Sequence, residues 1–389
     1  MLMYSKVLRD GCRCVELDCW NGDSGEPIIF HGFTLTSKIS FESVIKIIKD
    51  YSFVSSKYPV ILSLENHCGP QQQLKMAEIM KENFGNAIVL RKNYLNAKRL
   101  PSPEELKEKF IIKCKMNPGD APELDEIVFL QSASISILEN GGIPNHPADM
   151  ISLVENKLNS LDPMTLIEFN KSNLTRIYPV GNRFDSSNYN PSPWWVCGSQ
   201  LVALNCQTID KYFISNFGKF LDNGRCGYVL KPSFLLSTSQ KYAFNVSNYV
   251  PNYPIKLQIT VYSARNLPKP KNKELSNPFV KLIISGTELD CNAQQTNVIR
   301  ANSFNPVWQK TYTFSISMPE LAVLSIIICD TPDSIIPLPL QLDNVLCYFA
   351  LPVACINTGY RIVPLYAEGK ELQLSDLFCK FTIDINKQD

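Results

Sequence analysis

The sequence has little histidine and no excess of either charge. Its 389 residues include three histidines, His31, His67 and His146, which excludes a histidine-rich metal site. Lys and Arg number 38 against 37 Asp and Glu, so the net charge is +1. Proteins that bind nucleic acid through bulk charge are strongly basic. We therefore expect no nucleic-acid partner, and any anion must be bound by locally placed cations.

Long apolar runs and a disulfide framework are also missing. No uncharged apolar run approaches the ~20 residues that cross a bilayer, and the segment Met1–Asp10 is too short and too polar for a signal peptide. The 13 cysteines are an odd number without a repeating spacing. Several lie in apolar runs, where cysteine behaves as a small hydrophobe. These features predict a cytoplasmic protein with free thiols.

Strand-like and helix-like stretches alternate in the first two thirds of the chain. The periodicity predicts a helix over Phe41–Tyr51, a buried strand over Tyr58–Leu64 and a short helix over Pro103–Lys109. It also predicts a largely helical stretch over Ile151–Phe169 and a strand over Gly227–Pro232. Such alternation favours an α/β domain with a parallel sheet or barrel.

The pattern becomes all-β after Val250–Pro254, which we interpret as a linker. Lys256–Ser263 and Thr311–Ser317 alternate between apolar and polar residues, and further short apolar runs follow. Short strands of this kind are typical of a β-sandwich.

Four strand-like segments each carry two polar residues spaced by two. Residues i and i+2 of a strand face the same side, and inward polar residues near the carboxyl ends of barrel strands form active sites. We therefore expect these side chains to converge. They are Glu16 and Asp18, Ser63 and Glu65, Lys113 and Lys115, and Arg176 and Tyr178.

The residue types of these pairs indicate a chemistry. Three carboxylates offer hard oxygen donors, which suit Ca²⁺ or Mg²⁺ rather than zinc. Two lysines and an arginine suit phosphate groups, and His31 could assist in acid–base chemistry. Together they predict metal-assisted phosphoryl transfer. The alternative is that each pair forms a salt bridge at the rim of a barrel. We interpret His67 as a hydrogen-bonded structural residue rather than a metal ligand.

Longer segments resemble the eukaryotic phosphoinositide-specific phospholipase C family. Those similar to its X half-barrel are Gly11–Trp20, Glu26–Lys38 and Tyr58–Cys68, and those similar to its Y half-barrel are Thr175–Pro191, Leu201–Thr208 and Asp222–Leu235. Ile255–Ile385 resembles the C2 domain that follows. Within the family, the stretches GKFLDNG, MPELAVL and GYRIVPL look most like the zeta isozyme.

The resemblance implies a fold and a set of domain boundaries. We expect a split (β/α)₈ barrel of the TIM type, followed by an all-β C2 sandwich. The X half would span 1–116 and the Y half 124–248, joined by a short linker over 117–123. A second linker, 249–254, would lead to the C2 domain at 255–389.

The resemblance also implies an activity. The family cleaves phosphatidylinositol 4,5-bisphosphate to diacylglycerol and inositol 1,4,5-trisphosphate, using Ca²⁺. Carried over by motif, Glu16, Asp18 and Glu65 would be calcium ligands. Glu16 would also be the base, and His31 would be the second catalytic histidine. The residues that would bind the headgroup are Lys113, Lys115, Ser152, Arg176 and Tyr178.

One departure from the family pattern leaves a second function open. The first catalytic histidine of the family, and an adjacent asparagine ligand, lie in a motif resembling S-H-N-T-Y, whereas Met1–Asp10 resembles the end of the helix after it. We therefore expect a barrel without its first strand, that histidine and one calcium ligand. A catalytically inactive phosphoinositide-binding or scaffolding protein is the alternative. An unrelated metal phosphodiesterase would not account for the C2-like region.

We also expect a monomer that binds membranes peripherally. The barrel rim keeps Phe33 and Leu35 after His31, and the C2 domain would supply a second contact. In that domain Asn277 replaces an expected Asp, and the expected D-x-D pair reads Asp330–Pro332. Docking of the C2 domain without calcium is therefore the expectation.

Overall fold

The computed structural model describes residues 2–30, 37–237, 254–270, 274–331 and 344–385. No helix within these ranges has the length and apolar character to cross a membrane. The helices are α1 (Leu2–Arg9), α2 (Phe41–Tyr51), α3 (Pro70–Phe84), α4 (Pro122–Asp125), α5 (Ile135–Glu139), α6 (Pro163–Phe169), α7 (Ser192–Val196) and α8 (Lys211–Lys219).

The chain divides into two compact units. The first contains Met1–Arg183, Cys197–Ala203 and Asn223–Lys231. The second contains Phe184–Val196, Leu204–Asp222 and Pro232–Asp389.

The first unit is built on a sheet of mainly parallel strands. These strands are β1 (Cys14–Trp20), β2 (Ile28–Ile29), β3 (Ile39–Ser40), β4 (Val60–Asn66), β5 (Phe110–Cys114), β6 (Val128–Ser132), β7 (Asp149–Val154), β8 (Thr175–Tyr178) and β9 (Leu201–Val202). Their order is β3-β2-β1-β4-β5-β6-β7-β8-β9. Strands β1 and β4 to β9 pair in parallel, and β2 and β3 add an antiparallel ribbon to β1. This arrangement of mainly parallel strands confirms the predicted α/β fold of the TIM-barrel type.

The helices around the sheet follow from their apolar faces. In α2 the buried residues Phe41, Val44, Ile45 and Ile48 recur at helical spacing, and Ser40 caps the helix by accepting a bond from the Ser43 backbone N–H. In the same core the rings of Phe84 and Phe110 stack with centroids 3.9 Å apart. The burial of both faces explains why β4 reads as a continuous apolar run.

Three of the predicted elements were wrong. The segment 103–109 forms turns rather than a helix, although Ser102 and Glu105 make the reciprocal bonds of a helix start. The first part of the predicted helix Ile151–Phe169 is strand β7, because a short apolar run does not distinguish a strand from a buried helix. No strand forms at 227–232, where Gly227 has φ +83° and a Cβ would meet the Gly11 carbonyl at 2.3 Å.

The second unit contains an antiparallel β-sandwich, as predicted. Its strands run in the order β12-β11-β14-β15-β16-β17-β10-β13, and the pair Tyr348–Tyr366 joins its two layers at β15 and β16. They are β10 (Ile255–Arg265), β11 (Pro278–Ser285), β12 (Asn292–Gln295), β13 (Val307–Ile316), β14 (Val323–Asp330), β15 (Asn344–Pro352), β16 (Gly359–Ala367) and β17 (Lys370–Ile385).

Helix α8 packs against the same sandwich. Ile214 is fully buried in a cluster with residues of β11, β14 and β15. The ring of Phe217 contacts Tyr348 edge-on, with centroids 5.6 Å apart. At Gly218 a Cβ would lie 2.6 Å from the Cβ of Ala350, so only glycine allows this approach. The helix is therefore part of the core of the second unit.

Candidate active site at the carboxyl ends of the barrel strands

The parallel register aligns residues of the predicted polar pairs across neighbouring strands. Glu16 on β1 lies beside Ser63 on β4, which lies beside Lys113 on β5. One pleat further along, Asp18 lies beside Glu65. The register therefore brings Glu16, Ser63 and Lys113 to one level and Asp18 and Glu65 to the next, whereas Lys115 lies past the end of β5.

The three predicted carboxylates form one cluster. Single carboxylate oxygens of Glu16, Asp18 and Glu65 lie within 4.8 Å of one another, with Asp18 half-buried and the two glutamates exposed. In the part of the chain that the structure describes, no other group of three His, Cys, Asp or Glu side chains meets this criterion. An all-oxygen set of this size fits a hard cation such as Ca²⁺.

A buried arginine on a distant strand of the same sheet faces this cluster. Arg176 on β8 is 5% exposed, and its Nη2 forms an ion pair with Glu16 on the non-adjacent strand β1. This contact lacks the geometry of a hydrogen bond. Ser152 lies beside Arg176 in the register, and its buried hydroxyl has no hydrogen-bond partner in the described part of the chain. A cation and a free hydroxyl therefore face the same interior.

Lys113 is the second buried cation. It is 8% exposed, and none of the described carboxylates forms an ion pair with it. Burial and the nearby Arg176 charge lower the pKa of Lys113, although Glu16 acts in the opposite direction. Lys113 and Arg176 are both buried, and cationic side chains of these two types are suited to binding phosphate groups.

The two remaining predicted headgroup residues lie nearer to solvent. Lys115 follows the end of β5 and is exposed. Tyr178, at the end of β8, is 37% exposed, and the Arg176 guanidinium carbon lies 5.6 Å from the centroid of its ring. Lys113, Ser152 and Arg176 are thus deep, whereas Lys115 and Tyr178 lie at the rim.

His31 lies outside the described residues, as do Phe33 and Leu35. Their predicted roles stay predictions.

Two supporting contacts of the carboxylates had no role in the predicted site. The hydroxyl of Tyr4 on α1 donates to the carbonyl of Glu16 at 2.9 Å, and burial followed by the Asp18 charge raises the pKa of this tyrosine. The ring of His67 lies with Nε2 3.1 Å from Oε1 of Glu65. His67 is therefore hydrogen-bonded, as its interpretation from the sequence required.

The sequence reasoning missed an ion pair at the same end of the barrel. Glu155 directly follows β7 and binds Arg183, with 2.6 Å from Nε to Oε1 and 2.6 Å from Nη2 to Oε2. Burial alone would raise the pKa of Glu155, but the bonds from Arg183 and from the Val180 N–H outweigh it, so the pKa is lowered. The available signal was a carboxylate at the carboxyl end of a parallel strand.

In the sandwich, the residues compared with a C2 calcium site bond to the backbone. Asp330 is buried, and its Oδ1 accepts from the Asn277 backbone N–H at 2.7 Å. The Asn277 side chain donates to the Thr331 carbonyl at 3.1 Å and accepts from the Ala301 N–H at 2.9 Å. Pro332 lies outside the described residues. These bonds give both side chains a structural role.

Three family models match the chain. They are the X domain of phosphatidylinositol-specific phospholipase C over residues 1–116, its Y domain over residues 124–234 and the C2 domain over residues 255–359. A crystal structure of L. pealei PLC21 superposes with a TM-score of 0.87 at 31% identity, covering 100% of this chain and 53% of the other.

Curated relatives include proteins named as phosphodiesterases and proteins named as inactive. The chain is 37% identical to 1-phosphatidylinositol 4,5-bisphosphate phosphodiesterase delta-3-A of Danio rerio, covering 96% of this chain and 53% of the relative. It is 34% identical to human phosphodiesterase zeta-1, covering 96% and 68%. It is also 34% identical to human inactive phospholipase C-like protein 1, covering 93% and 36%. The chain thus spans about half the length of several relatives, and the zeta isozyme is not specifically supported.

Proposed function

This chain belongs to the phosphatidylinositol-specific phospholipase C family, and we propose that it hydrolyses phosphatidylinositol 4,5-bisphosphate in a Ca²⁺-dependent reaction. The products would be diacylglycerol and inositol 1,4,5-trisphosphate. The observation that carries this proposal is one interior surface with three carboxylates within 4.8 Å of one another on one side and the buried cations Lys113 and Arg176 on the other.

The carboxylates of Glu16, Asp18 and Glu65 would hold the calcium ion, since hard oxygen donors are its preferred ligands. Bound there, Ca²⁺ would supply Lewis-acid chemistry, acidifying the attacking hydroxyl and neutralising charge on the phosphoryl oxygens.

The cations would hold the headgroup by its phosphates. Lys113 and Arg176 lie in the interior, where an ionic interaction is stronger than in water. The unpartnered Ser152 hydroxyl would donate to the same phosphate. Lys115 and Tyr178, near solvent, would contact the second phosphate and the ring. The planar guanidinium of Arg176 suits two phosphate oxygens at once.

Glu16 would also accept the proton of the inositol 2-hydroxyl. As that oxygen bonds to phosphorus, the bond from phosphorus to the diacylglycerol oxygen would break, and this oxygen would take up a proton from solvent water. The cyclic phosphate formed would then be opened by water. His31 would stabilise the negative charge that develops on the phosphoryl group. We further propose that the protein is monomeric and cytoplasmic. It would bind the membrane peripherally, because the proposed substrate is a membrane lipid.

The test is hydrolysis of phosphatidylinositol 4,5-bisphosphate vesicles by the full chain, with free Ca²⁺ titrated. Release of inositol trisphosphate should rise with Ca²⁺, and Glu65→Gln should require more Ca²⁺. Lys57→Met, at an exposed ion pair with Glu108, is the control that should behave as the unaltered protein. Absence of release from folded, vesicle-bound protein would overturn the proposal.

One observation favours a second function, the binding of phosphoinositide without turnover. Arg176 forms an ion pair with Glu16, so the proposed base and one proposed phosphate-binding cation neutralise each other in this structure. An inactive phospholipase C-like protein is also among the relatives. Headgroup binding at Lys113 and Arg176 without product release at any Ca²⁺ concentration would establish this function instead.

A further inference from the structure

A stacked aromatic pair lies one pleat beyond the carboxylates. Trp20 is two residues after Asp18, and His67 is two residues after Glu65, so each continues the inward face of its strand. The rings of Trp20 and His67 stack with centroids 4.1 Å apart and planes 20° from parallel. The pair therefore joins the ends of β1 and β4 directly above the cluster.

The backbone holds His67 in this position. Its N–H donates to the carbonyl of Cys19 at 2.8 Å, which continues the ladder one residue past the end of β4. Trp20 is in turn supported by Phe30, whose ring centroid lies 5.3 Å away. The Phe30 N–H donates to the Asp18 carbonyl at 3.2 Å. The imidazole is thus fixed by a stacking partner on one face and by its own backbone.

The imidazole of His67 restricts the side-chain rotamer of Glu65. Nε2 of His67 lies 3.1 Å from Oε1 of Glu65, and in the tautomer with a proton on Nε2 the ring donates a hydrogen bond to this carboxylate oxygen. The Glu65 side chain is 57% exposed, and a free glutamate of this kind would sample several rotamers. The bond from His67 restricts it to the rotamer that places its oxygen beside those of Glu16 and Asp18.

We propose that His67, clamped on Trp20, is a positioning residue that pre-orients Glu65 for Ca²⁺ and sets the calcium affinity of the cluster. Partners that orient metal ligands typically change metal affinity by about 10- to 100-fold when removed. This inference rests on the proposed calcium site. It does not make His67 a ligand or a catalytic residue.

The test is calcium binding to the full chain by isothermal titration calorimetry. His67→Leu, which removes the donor, should weaken binding by about 10- to 100-fold. His67→Gln keeps a donor near the position of Nε2 and should restore most of the affinity. The matched control is His146→Leu, at the amino end of β7, where the imidazole binds the Tyr94 carbonyl at 2.9 Å. This control should change thermal stability without changing calcium affinity.

Two further readouts separate positioning from folding. His67→Leu should shift the calcium dependence of hydrolysis to higher concentration while kcat at saturating Ca²⁺ is kept. Trp20→Phe keeps a stacking ring, so it should keep calcium affinity but lose tryptophan-sensitised luminescence of bound Tb³⁺. Unchanged affinity in His67→Leu, or a loss in His67→Gln as large as in His67→Leu, would overturn the inference alone. An unaltered chain that binds no Ca²⁺ would overturn the calcium site as well.

Discussion

Arg176 on β8 forms an ion pair with Glu16 on β1, although these strands are not neighbours in the sheet. The two residues have competing partners in the proposed reaction, since one would bind phosphate and the other Ca²⁺. In this structure the two side chains form an ion pair with each other, so neither is available to its proposed ligand. Binding of substrate and of calcium should therefore favour one another, because each ligand releases the partner that the second ligand needs.

We predict that Arg176→Met weakens substrate binding and raises KM by roughly 10- to 100-fold, since a hydrogen bond to a charged group contributes about 1.5–3 kcal/mol. The same change should strengthen calcium binding in the absence of lipid, because Glu16 loses its competitor. Vesicle kinetics and calorimetry measure the two effects. Arg265→Met, at an exposed arginine paired with Asp376 in the sandwich, is the matched control. Weaker calcium binding in Arg176→Met would contradict the competition.

We predict that Lys113→Met stabilises the fold while it impairs headgroup binding. Burial and the Arg176 charge lower the pKa of Lys113, so its charge opposes folding. Removing that charge should raise Tm by roughly 2–4 °C, the shift that about 1 kcal/mol produces in a domain of this size. Differential scanning calorimetry measures it, with Lys57→Met as the exposed control.

The pH dependence of this effect has a fixed sign. At pH values below the lowered pKa, Lys113 is charged in both the folded and the unfolded chain, and the full destabilisation is present. As the pH rises from that value towards the ordinary lysine pKa of about 10.4, the folded protein releases the proton first and the destabilisation fades. The stability advantage of Lys113→Met should shrink over this range, and an advantage that grows with pH would refute the assignment.

We predict that Glu155→Gln lowers stability, because it leaves Arg183 with a weaker partner in a half-buried position. Because folding lowers the pKa of Glu155, the loss of stability in Glu155→Gln should be fully present above the ordinary glutamate pKa of about 4.3. The loss should disappear as the pH falls through the lowered pKa that Glu155 has in the folded protein. Thermal unfolding between about pH 7 and about pH 3 measures this.

Glu105→Gln provides the comparison for this prediction, since the Arg99–Glu105 pair is exposed and should contribute little. An equal loss of stability in the two variants would show that burial of the Glu155–Arg183 pair has no effect.

We predict that Asp330→Asn destabilises the sandwich without changing the number of calcium ions bound. The Asp330 carboxylate accepts from the Asn277 backbone while buried, and weakening a buried bond of this kind costs about 1–3 kcal/mol. Thermal unfolding and calcium stoichiometry measure the two quantities. Glu65→Gln removes a proposed calcium ligand instead of a buried structural bond, so it should change calcium binding far more than stability. Loss of a calcium ion in Asp330→Asn would mean that the sandwich binds calcium.

The sequence predicts the carboxylate cluster because strand geometry is local. Once a segment is a strand, residues such as Glu16 and Asp18 share a face, and parallel pairing then aligns Asp18 with Glu65. The family resemblance adds Ser152, which the periodicity had put in a helix rather than in β7. Periodicity failed there because β7 has only six residues, and an apolar run of that length does not distinguish a strand from a buried helix segment.

Contacts between distant segments were not predictable in the same way. The stack of Trp20 on His67 depends on where two strands end, and the pair of Glu155 with Arg183 depends on a loop returning across β7 and β8. The position of Glu155 at the end of β7 indicates a functional carboxylate, but nothing in the sequence indicates that Arg183 is its partner or that Trp20 stacks on His67. Both become visible only when the side chains are placed in space.

The position of α8 determines how the chain can be divided for expression. The helix lies well before the linker predicted at 249–254, yet Ile214 and Phe217 are covered by aromatic and aliphatic residues of the sandwich strands. A recombinant barrel fragment ending at that linker would expose this apolar face to water, and such surfaces promote aggregation. A recombinant sandwich beginning after the linker would lose the cover over Tyr348 and Tyr366. Each piece made alone should therefore be less soluble than the intact chain.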